Sequence, residues 1–321
     1  GNDGHLMRLS GNNSNWTTWD VDTSDIPDGY GADISLCHDI VHIAIGFSAW
    51  QWWAVGGGIA RFDLGDHDGD GITEEWLSPI TNDNSNMADK DVRALACDEE
   101  NDIMYVGFDT DNVGIDRFDY SSNNFLATLT PDMGVSEDPV FPGGMLYDED
   151  LLLVSHYDGS GGITRVITSG SSATSGQVIG LGMDSCSIVR APTGGSRSYA
   201  IGRSGDLSGI NRVDRLDSTG LIEGGFDELV GLPSGVVHEM ISNGTHVWVT
   251  VGSSENSYLS STVLQGQLLE NGSVNWQYGF DAPSESINEI MLVDQEIWVT
   301  TAGNGLFSFN LTQRALQQTS P

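Results

Sequence analysis

Lysine is almost absent from this sequence, since Lys90 is its only lysine. Lysine and arginine together number 12 against 46 aspartates and glutamates, which gives a formal net charge of -34. A protein that binds nucleic acid needs clustered basic side chains to displace counterions from the phosphates. The composition therefore excludes nucleic acid as a partner. It is typical of an exported or salt-exposed surface, which acidic groups keep soluble.

Cysteine is scarce as well. Cys37, Cys97 and Cys186 lie far apart and form neither a dense disulfide framework nor a Cys-x-x-Cys metal motif. We therefore expect them to be small buried side chains on strands.

Long apolar runs are also missing. The longest one, residues 40–55, contains His42 and Gln51 and is shorter than the ~20 residues that a membrane-spanning helix needs. We predict no membrane insertion within this chain. No stretch of helical length has apolar residues at helical spacing, and short apolar segments alternate with Gly, Asn, Asp and Ser, which favours an all-β fold.

A repeated motif is the strongest feature that is present. Four segments share the pattern Gly-Ile-x-Arg, and they begin at Gly58, Gly114, Gly162 and Gly209. Weaker copies begin at His5, Ser261 and Gly305, so that seven copies recur at intervals of roughly 50 residues. Two apolar segments precede most copies and one follows, which gives four strands per unit. This arrangement is typical of the blades of a β-propeller.

We therefore predict a single β-propeller domain over residues 1–321, built from four-stranded antiparallel blades. The first copy of the motif has only its last two strands, so we expect six complete blades and a partial N-terminal one in a seven-bladed ring. The two missing strands would lie outside residues 1–321. We accordingly expect the chain to be a part of a longer polypeptide.

The unit from Ile287 to Phe309, with EIWVTT followed by GLFSF, resembles the two-component-regulator type of propeller repeat. MYVGF with GIDRFD, from Met104 to Asp119, repeats the pattern. The resemblance implies an extracellular sensor or ligand-binding module, commonly non-enzymatic and attached to further domains. It implies no signalling role here, because the sequence has no kinase or DNA-binding segment.

The stretch LGDHDGDGITEEW, from Leu64, carries the most concentrated set of candidate metal ligands. Oxygen ligands at alternate positions of a sharply turning loop suit Ca²⁺. The predicted ligands are Asp66, Asp68, Asp70, the carbonyl of Ile72, and Glu74. Leu77 stands where a helix-flanked calcium loop has its bidentate glutamate, and so an unoccupied polar turn is the alternative. Calcium here would brace a loop between two strands rather than trigger a switch.

Other candidates are weaker. Asp109 and Asp111 alternate in a loop but have no third acid beside them. Arginines such as Arg61 and Arg117 recur at one strand position with an aspartate two residues later, which predicts ion pairs between blades. Sequons for N-glycosylation occur at Asn12, Asn15, Asn243, Asn271 and Asn310.

These features together predict a non-catalytic extracellular or cell-surface module that binds a protein or carbohydrate ligand at one propeller face. No nucleophile elbow or metal-binding histidine pair is present, so we predict no catalytic residue. Two alternatives stay open. One is a polysaccharide lyase or glycoside hydrolase with its site at the channel mouth, and the other is a self-assembling subunit of a surface layer or filament.

Overall fold

The computed structural model describes residues 6–10, 15–19, 24–46, 56–66, 74–157, 162–169, 172–179, 184–190, 199–204, 211–226, 237–253, 256–269, 274–282, 287–293, 295–301, 305–312 and 315–319. Within these ranges the chain forms 26 strands and one short 3-10 helix. The strands belong to two compact units, Gly1–Gly180 and Leu181–Pro321. Each unit is described by itself below.

The first unit contains a two-stranded sheet and three four-stranded antiparallel sheets. The two-stranded sheet pairs β1 (Leu6–Ser10) with β2 (Asn15–Trp19). The four-stranded sheets are β3 (Tyr30–Cys37), β4 (Ile40–Gly46), β5 (Gly58–Asp63) and β6 (Glu75–Ile80); β7 (Val92–Asp98), β8 (Ile103–Phe108), β9 (Ile115–Asp119) and β10 (Asn124–Phe125); and β11 (Val140–Asp148), β12 (Leu151–His156), β13 (Gly162–Ser169) and β14 (Ser172–Ile179). The 3-10 helix, Pro131–Met133, lies between β10 and β11.

The second unit contains three further four-stranded antiparallel sheets. They are β15 (Asp184–Arg190), β16 (Tyr199–Ser204), β17 (Asn211–Leu216) and β18 (Ile222–Phe226); β19 (Val237–Ser242), β20 (His246–Ser253), β21 (Asn256–Leu268) and β22 (Val274–Asp281); and β23 (Ile287–Val293), β24 (Glu296–Thr301), β25 (Gly305–Asn310) and β26 (Ala315–Thr319).

The predicted four-stranded meander is confirmed, but the predicted seven-bladed ring is wrong. Five sheets are complete blades, with four strands of at least five residues each. In the sheet that begins with β7, the outer strand β10 has two residues, and β1 pairs only with β2. The prediction of six complete blades and a partial one counted copies of a strand motif, and a copy of the motif does not guarantee a full sheet around it.

The segment that follows the short strand β10 stays beside β9. The side chain of Arg117 holds the carbonyl of Ala127 through Nε at 3.2 Å and Nη2 at 2.8 Å. Leu129 then pairs with Ile115 as an isolated bridge. The chain after Phe125 is therefore held against β9 without forming a longer strand.

The core lies between consecutive sheets. Every residue of the second strands β8 and β12 is buried. The sheets before and after β8 cover its two faces, with Met104 and Val106 on one side and Ile103 and Tyr105 on the other. Between the first two four-stranded sheets, Ala44 and Ile59 of one pack with Leu95 and Val106 of the next. A continuously apolar strand such as IMYVGF is explained by this burial on two faces.

The repeated glycine of the motif is required by close packing within a blade. Gly58 and Gly114 begin or precede the third strand with φ angles of 133° and 93°. A Cβ atom at Gly114 would lie 2.2 Å from the carbonyl oxygen of Leu129, and one at Gly58 would lie 2.4 Å from that of Ile80. Only glycine adopts this backbone conformation easily and also leaves room for the fourth strand.

A disulfide bond joins Cys37, the last residue of β3, to Cys97 in β7. The expectation of isolated buried cysteines is therefore wrong for this pair. The two residues lie 60 positions apart in sequence, on the first strands of neighbouring sheets, with their Cα atoms 5.8 Å apart. The repeat could have revealed the pair, since it places both cysteines near the ends of equivalent strands. The bond is a covalent link between consecutive sheets.

Polar side chains connect the first strands of consecutive sheets in a second way. Asp33 of β3 accepts a hydrogen bond from the backbone N–H of Leu95 in the next sheet, at 2.7 Å. In the second unit Glu239 of β19 accepts one from Ile290 N–H in the next sheet, at 2.8 Å. Hydrogen bonds from amides to carboxylates are stronger than neutral ones. The same sheet-to-sheet connection is thus made independently in both units.

Candidate binding sites

The predicted calcium loop connects the third strand β5 to the fourth strand β6. Asp66 lies exposed after β5, where Oδ1 of Asp63 accepts a hydrogen bond from Gly65 N–H at 2.8 Å. Glu74 precedes β6 and has a φ angle of 62°, in the left-handed region. Asp68, Asp70 and Ile72 lie outside the described residues. The strand–loop–strand setting agrees with the predicted one, and the metal itself stays a prediction.

The second candidate loop contains an ion pair. The guanidinium of Arg93 binds the carboxylate of Asp109 through Nη2, and its Nε lies 3.0 Å from Oδ1 of Asp91. A carboxylate that is already paired with arginine is a poor ligand for a cation, because the arginine occupies the same lone pairs. Asp109 is therefore better explained as a partner in a structural ion pair than as a cation ligand.

The recurrent arginines bind carbonyl groups within their own blade. Arg61 donates from Nε and Nη2 to the carbonyl of Ser78, at 3.1 and 2.6 Å, as Arg117 does to Ala127. In both blades the arginine of the third strand thereby fixes the fourth strand. Arg61 and Arg117 do occupy equivalent strand positions, as predicted. The contacts described for them are hydrogen bonds to carbonyl groups of their own blade, whereas the prediction was of ion pairs between blades.

His42 is a buried histidine in β4 whose Nε2 lies 2.9 Å from the hydroxyl of Tyr120 in the next sheet. Burial, with a smaller contribution from the nearby Arg61, lowers the pKa of His42 to about 3. The imidazole is therefore neutral at physiological pH and joins the two sheets as a structural group. Burial also lowers the pKa of His156 in β12.

Neutral His42 predicts an acid-sensitive fold. The unfolded chain binds a proton at His42 below about pH 6.5, whereas the folded chain does so only near 3, so stability falls as the pH drops below 6.5. The contribution of one such group is at most about 1.4 kcal/mol per pH unit. We expect His42→Gln to flatten the fall in the free energy of unfolding between about pH 6.5 and pH 5, measured in urea. An unchanged slope would contradict this assignment.

Ile34 and Leu36 form an exposed apolar strip on β3, called the β3 strip below. Ile34 is 48% exposed and Leu36 is 56% exposed. In each blade the first strand has an apolar residue at the position of Ile34, paired with an aliphatic residue of the second strand. The equivalents of Ile34 are Leu95, Met145, Ile188, Met240 and Ile290, and they are 2–7% exposed.

Within each unit, a preceding sheet covers equivalents such as Leu95, Met145 and Ile290. Leu95 packs with Ala44 and Ile59 of the preceding sheet, and Ile290 packs with Trp248 and Val263 of its predecessor. In both cases the covering side chains come from the second and third strands of the preceding sheet. The β3 strip lies on the opposite face of its sheet from Ala44 and Ile59, and so points away from the sheet that follows.

A cleft of about 360 Å³ lies at one end of the first four-stranded sheet. Its walls offer hydroxyl, amide and carboxylate groups beside apolar side chains, a combination that is common in ligand sites. The walls are formed by residues 24–27, the pair Gly56 and Gly57, Pro79, and residues 81–83.

The described part of the chain has no helix long and apolar enough to cross a membrane.

No protein-family model matches the sequence, and no curated protein matches it. Solved structures do match. The β-propeller domain of Cps50 (Swd1) from Myceliophteria thermophila is 12% identical, with 91% of this chain and 87% of that chain covered and a TM-score of 0.58. Hydrazine synthase from Kuenenia stuttgartiensis is 10% identical, with coverages of 88% and 76% and a TM-score of 0.63. A chain of a nidogen/laminin complex is 13% identical, with coverages of 82% and 89% and a TM-score of 0.51.

Identities this low establish the fold alone. The matches include an enzyme as well as a chain from a protein complex, so they are compatible with a binding or scaffolding module without selecting that function. The four-stranded sheets, their packing and these similarities together establish that the chain has a β-propeller fold.

Proposed function

We propose that this chain is a non-catalytic, exported binding module that docks a partner protein on the β3 strip. The observation that carries the proposal is the exposure of Ile34, at a position that is buried in every other four-stranded sheet. Exposed apolar side chains on a sheet face favour an interaction surface. The two-component-regulator resemblance supports the same class of function, because such propellers are commonly ligand-binding modules.

The proposed partner presents an apolar β-hairpin. Two neighbouring strands with apolar side chains cover Leu95 and Ile290, two equivalents of Ile34, and so the same chemistry fits the strip. The partner would contribute aliphatic or aromatic side chains from both strands. The net charge of -34 favours a partner whose surrounding surface is basic.

An extracellular or cell-surface location is part of the proposal, and the Cys37–Cys97 disulfide supports it. Disulfides persist in oxidising compartments and are rare in the reducing cytosol. The high acidity of the chain and its five sequons agree with export.

The docking surface can be tested by site-specific cross-linking. A photoreactive side chain is placed at position 36 or, as a control, at the similarly exposed Ile167 of β13, which is 45% exposed. Both proteins are irradiated with the extracellular fraction of the source organism. We expect a product at position 36 that is absent at position 167. Its purified partner should bind Leu36→Arg at least about tenfold more weakly than wild type, a loss of about 1.4 kcal/mol.

Three outcomes would overturn the docking proposal. One is the absence of a product specific to position 36, and another is a purified partner that binds Leu36→Arg as tightly as wild type. The third is a product that joins two copies of this chain, which would favour the self-assembling alternative. Because Leu36 is exposed, Leu36→Arg should keep the wild-type unfolding midpoint, and this control separates lost binding from lost folding.

Calcium bound by Asp66, Asp68, Asp70, the Ile72 carbonyl and Glu74 is the second part of the proposal. Three carboxylates in one short loop repel each other unless a cation lies among them, and millimolar extracellular calcium would supply that cation. The ion would hold the loop between β5 and β6 and stabilise the blade, with no direct part in docking.

Thermal unfolding in calcium and in chelator tests this metal site. A ligand that binds only the folded state stabilises it by about 2.7 kcal/mol when its free concentration is about 100 times the Kd. We expect calcium to raise the unfolding midpoint of wild type but not that of the double variant Asp68→Asn, Asp70→Asn. The control Asp111→Asn, in the other acidic loop, should respond like wild type. Equal midpoints of the wild type in calcium and in chelator would exclude the site.

A further inference from the structure

Asn243 lies in the turn between β19 and β20 and begins the sequon Asn243-Gly244-Thr245. Its side-chain oxygen Oδ1 accepts three hydrogen bonds. They come from the backbone N–H of Thr245 at 3.0 Å, the hydroxyl of Thr245 at 2.9 Å and the backbone N–H of His246 at 2.8 Å. Gly244 has a φ angle of 84°, which lets the chain turn tightly around this oxygen.

These three bonds fix the orientation of the Asn243 amide. Backbone N–H groups can only donate, so the atom that faces them must be the oxygen. The Nδ2 atom is therefore turned out of the turn, and among the described residues it has no hydrogen-bond partner. Asn243 and Thr245 are both exposed.

Asn310 provides a comparison within the same protein. It begins a second sequon that also ends in threonine, Asn310-Leu311-Thr312. Its Nδ2 donates to Oε1 of Glu296 on the neighbouring strand β24, at 3.3 Å, and its side chain is half-buried. Leu311 packs against the core cluster of the last two sheets. The nitrogen that a glycan would modify is thus held against the sheet at Asn310 and directed outward at Asn243.

We propose that Asn243 is an N-glycosylation acceptor of this chain, and that Asn310 is left unmodified. The inference rests on the proposed export, which would bring the chain to a glycosylating compartment. The hydrogen bonds to Oδ1 all lie within residues 243–246, so the same turn can form locally before the blade is complete.

The chemistry is a group transfer without oxidation or reduction. Nδ2 attacks the anomeric carbon of an oligosaccharide carried on a lipid diphosphate. The new bond joins that carbon to Nδ2, and the bond from the same carbon to the phosphate oxygen breaks. The lipid diphosphate leaves with the electron pair, and Nδ2 loses one proton to the transferase. The glycan would project from the end of the β19–β20 hairpin.

Secretion of the full chain from a eukaryotic host, behind an added signal peptide, tests the assignment. The readouts are intact mass and peptide mapping after amidase digestion, which converts each glycosylated asparagine to aspartate. We expect a glycan on Asn243 in wild type, its loss in Thr245→Ala, and its return in Thr245→Ser, which keeps the hydroxyl. The matched variant Thr312→Ala should leave the intact mass unchanged except for the substitution itself.

A secreted wild-type chain without glycan at Asn243 would overturn the inference, and so would a glycan carried by Asn310. Neither outcome bears on docking, because cross-linking at position 36 can be measured on the same secreted protein. Failure of the glycosylation assignment and failure of the proposed binding function are therefore distinguishable.

Discussion

The packing of each sheet against the first strand of the next sheet is the interaction on which the rest of the structure depends. A single four-stranded sheet cannot bury both of its faces, so each blade is stable only with neighbours. Leu95 and Met145 in the first unit, and Ile290 in the second, lie where a preceding sheet covers them. Where sheets cover both faces, as they do for β8, the strand is buried at every residue.

Polar and covalent contacts reinforce this packing at the same junctions. Asp33 and Glu239 reach the backbone of the following sheet, and the Cys37–Cys97 disulfide joins two first strands directly. His42 adds a neutral hydrogen bond to Tyr120 across the same junction as the disulfide. These groups contribute to holding the sheets together.

The sequence predicted the repeated features well and the individual ones poorly. Strand order and blade architecture followed from the Gly-Ile-x-Arg repeat, because close packing imposes the same glycine on several blades. The number of complete blades did not follow, since a copy of the motif on the third strand does not determine the length of the fourth strand beside it. The disulfide was missed because Cys37 and Cys97 meet only when two sheets stack. The exposure of Ile34 could not be predicted either, as its residue type matches that of its buried equivalents.

The proposed docking role requires that the β3 strip is a free surface and not part of the chain's own core. Urea unfolding of Ile34→Ala and Met145→Ala, two equivalent positions within the same unit, measures this difference. We expect a loss of under about 0.5 kcal/mol in the free energy of unfolding for Ile34→Ala. For Met145→Ala we expect a loss of about 2–5 kcal/mol, because that substitution leaves a cavity in the core. Equal losses at the two positions would show that Ile34 belongs to the core.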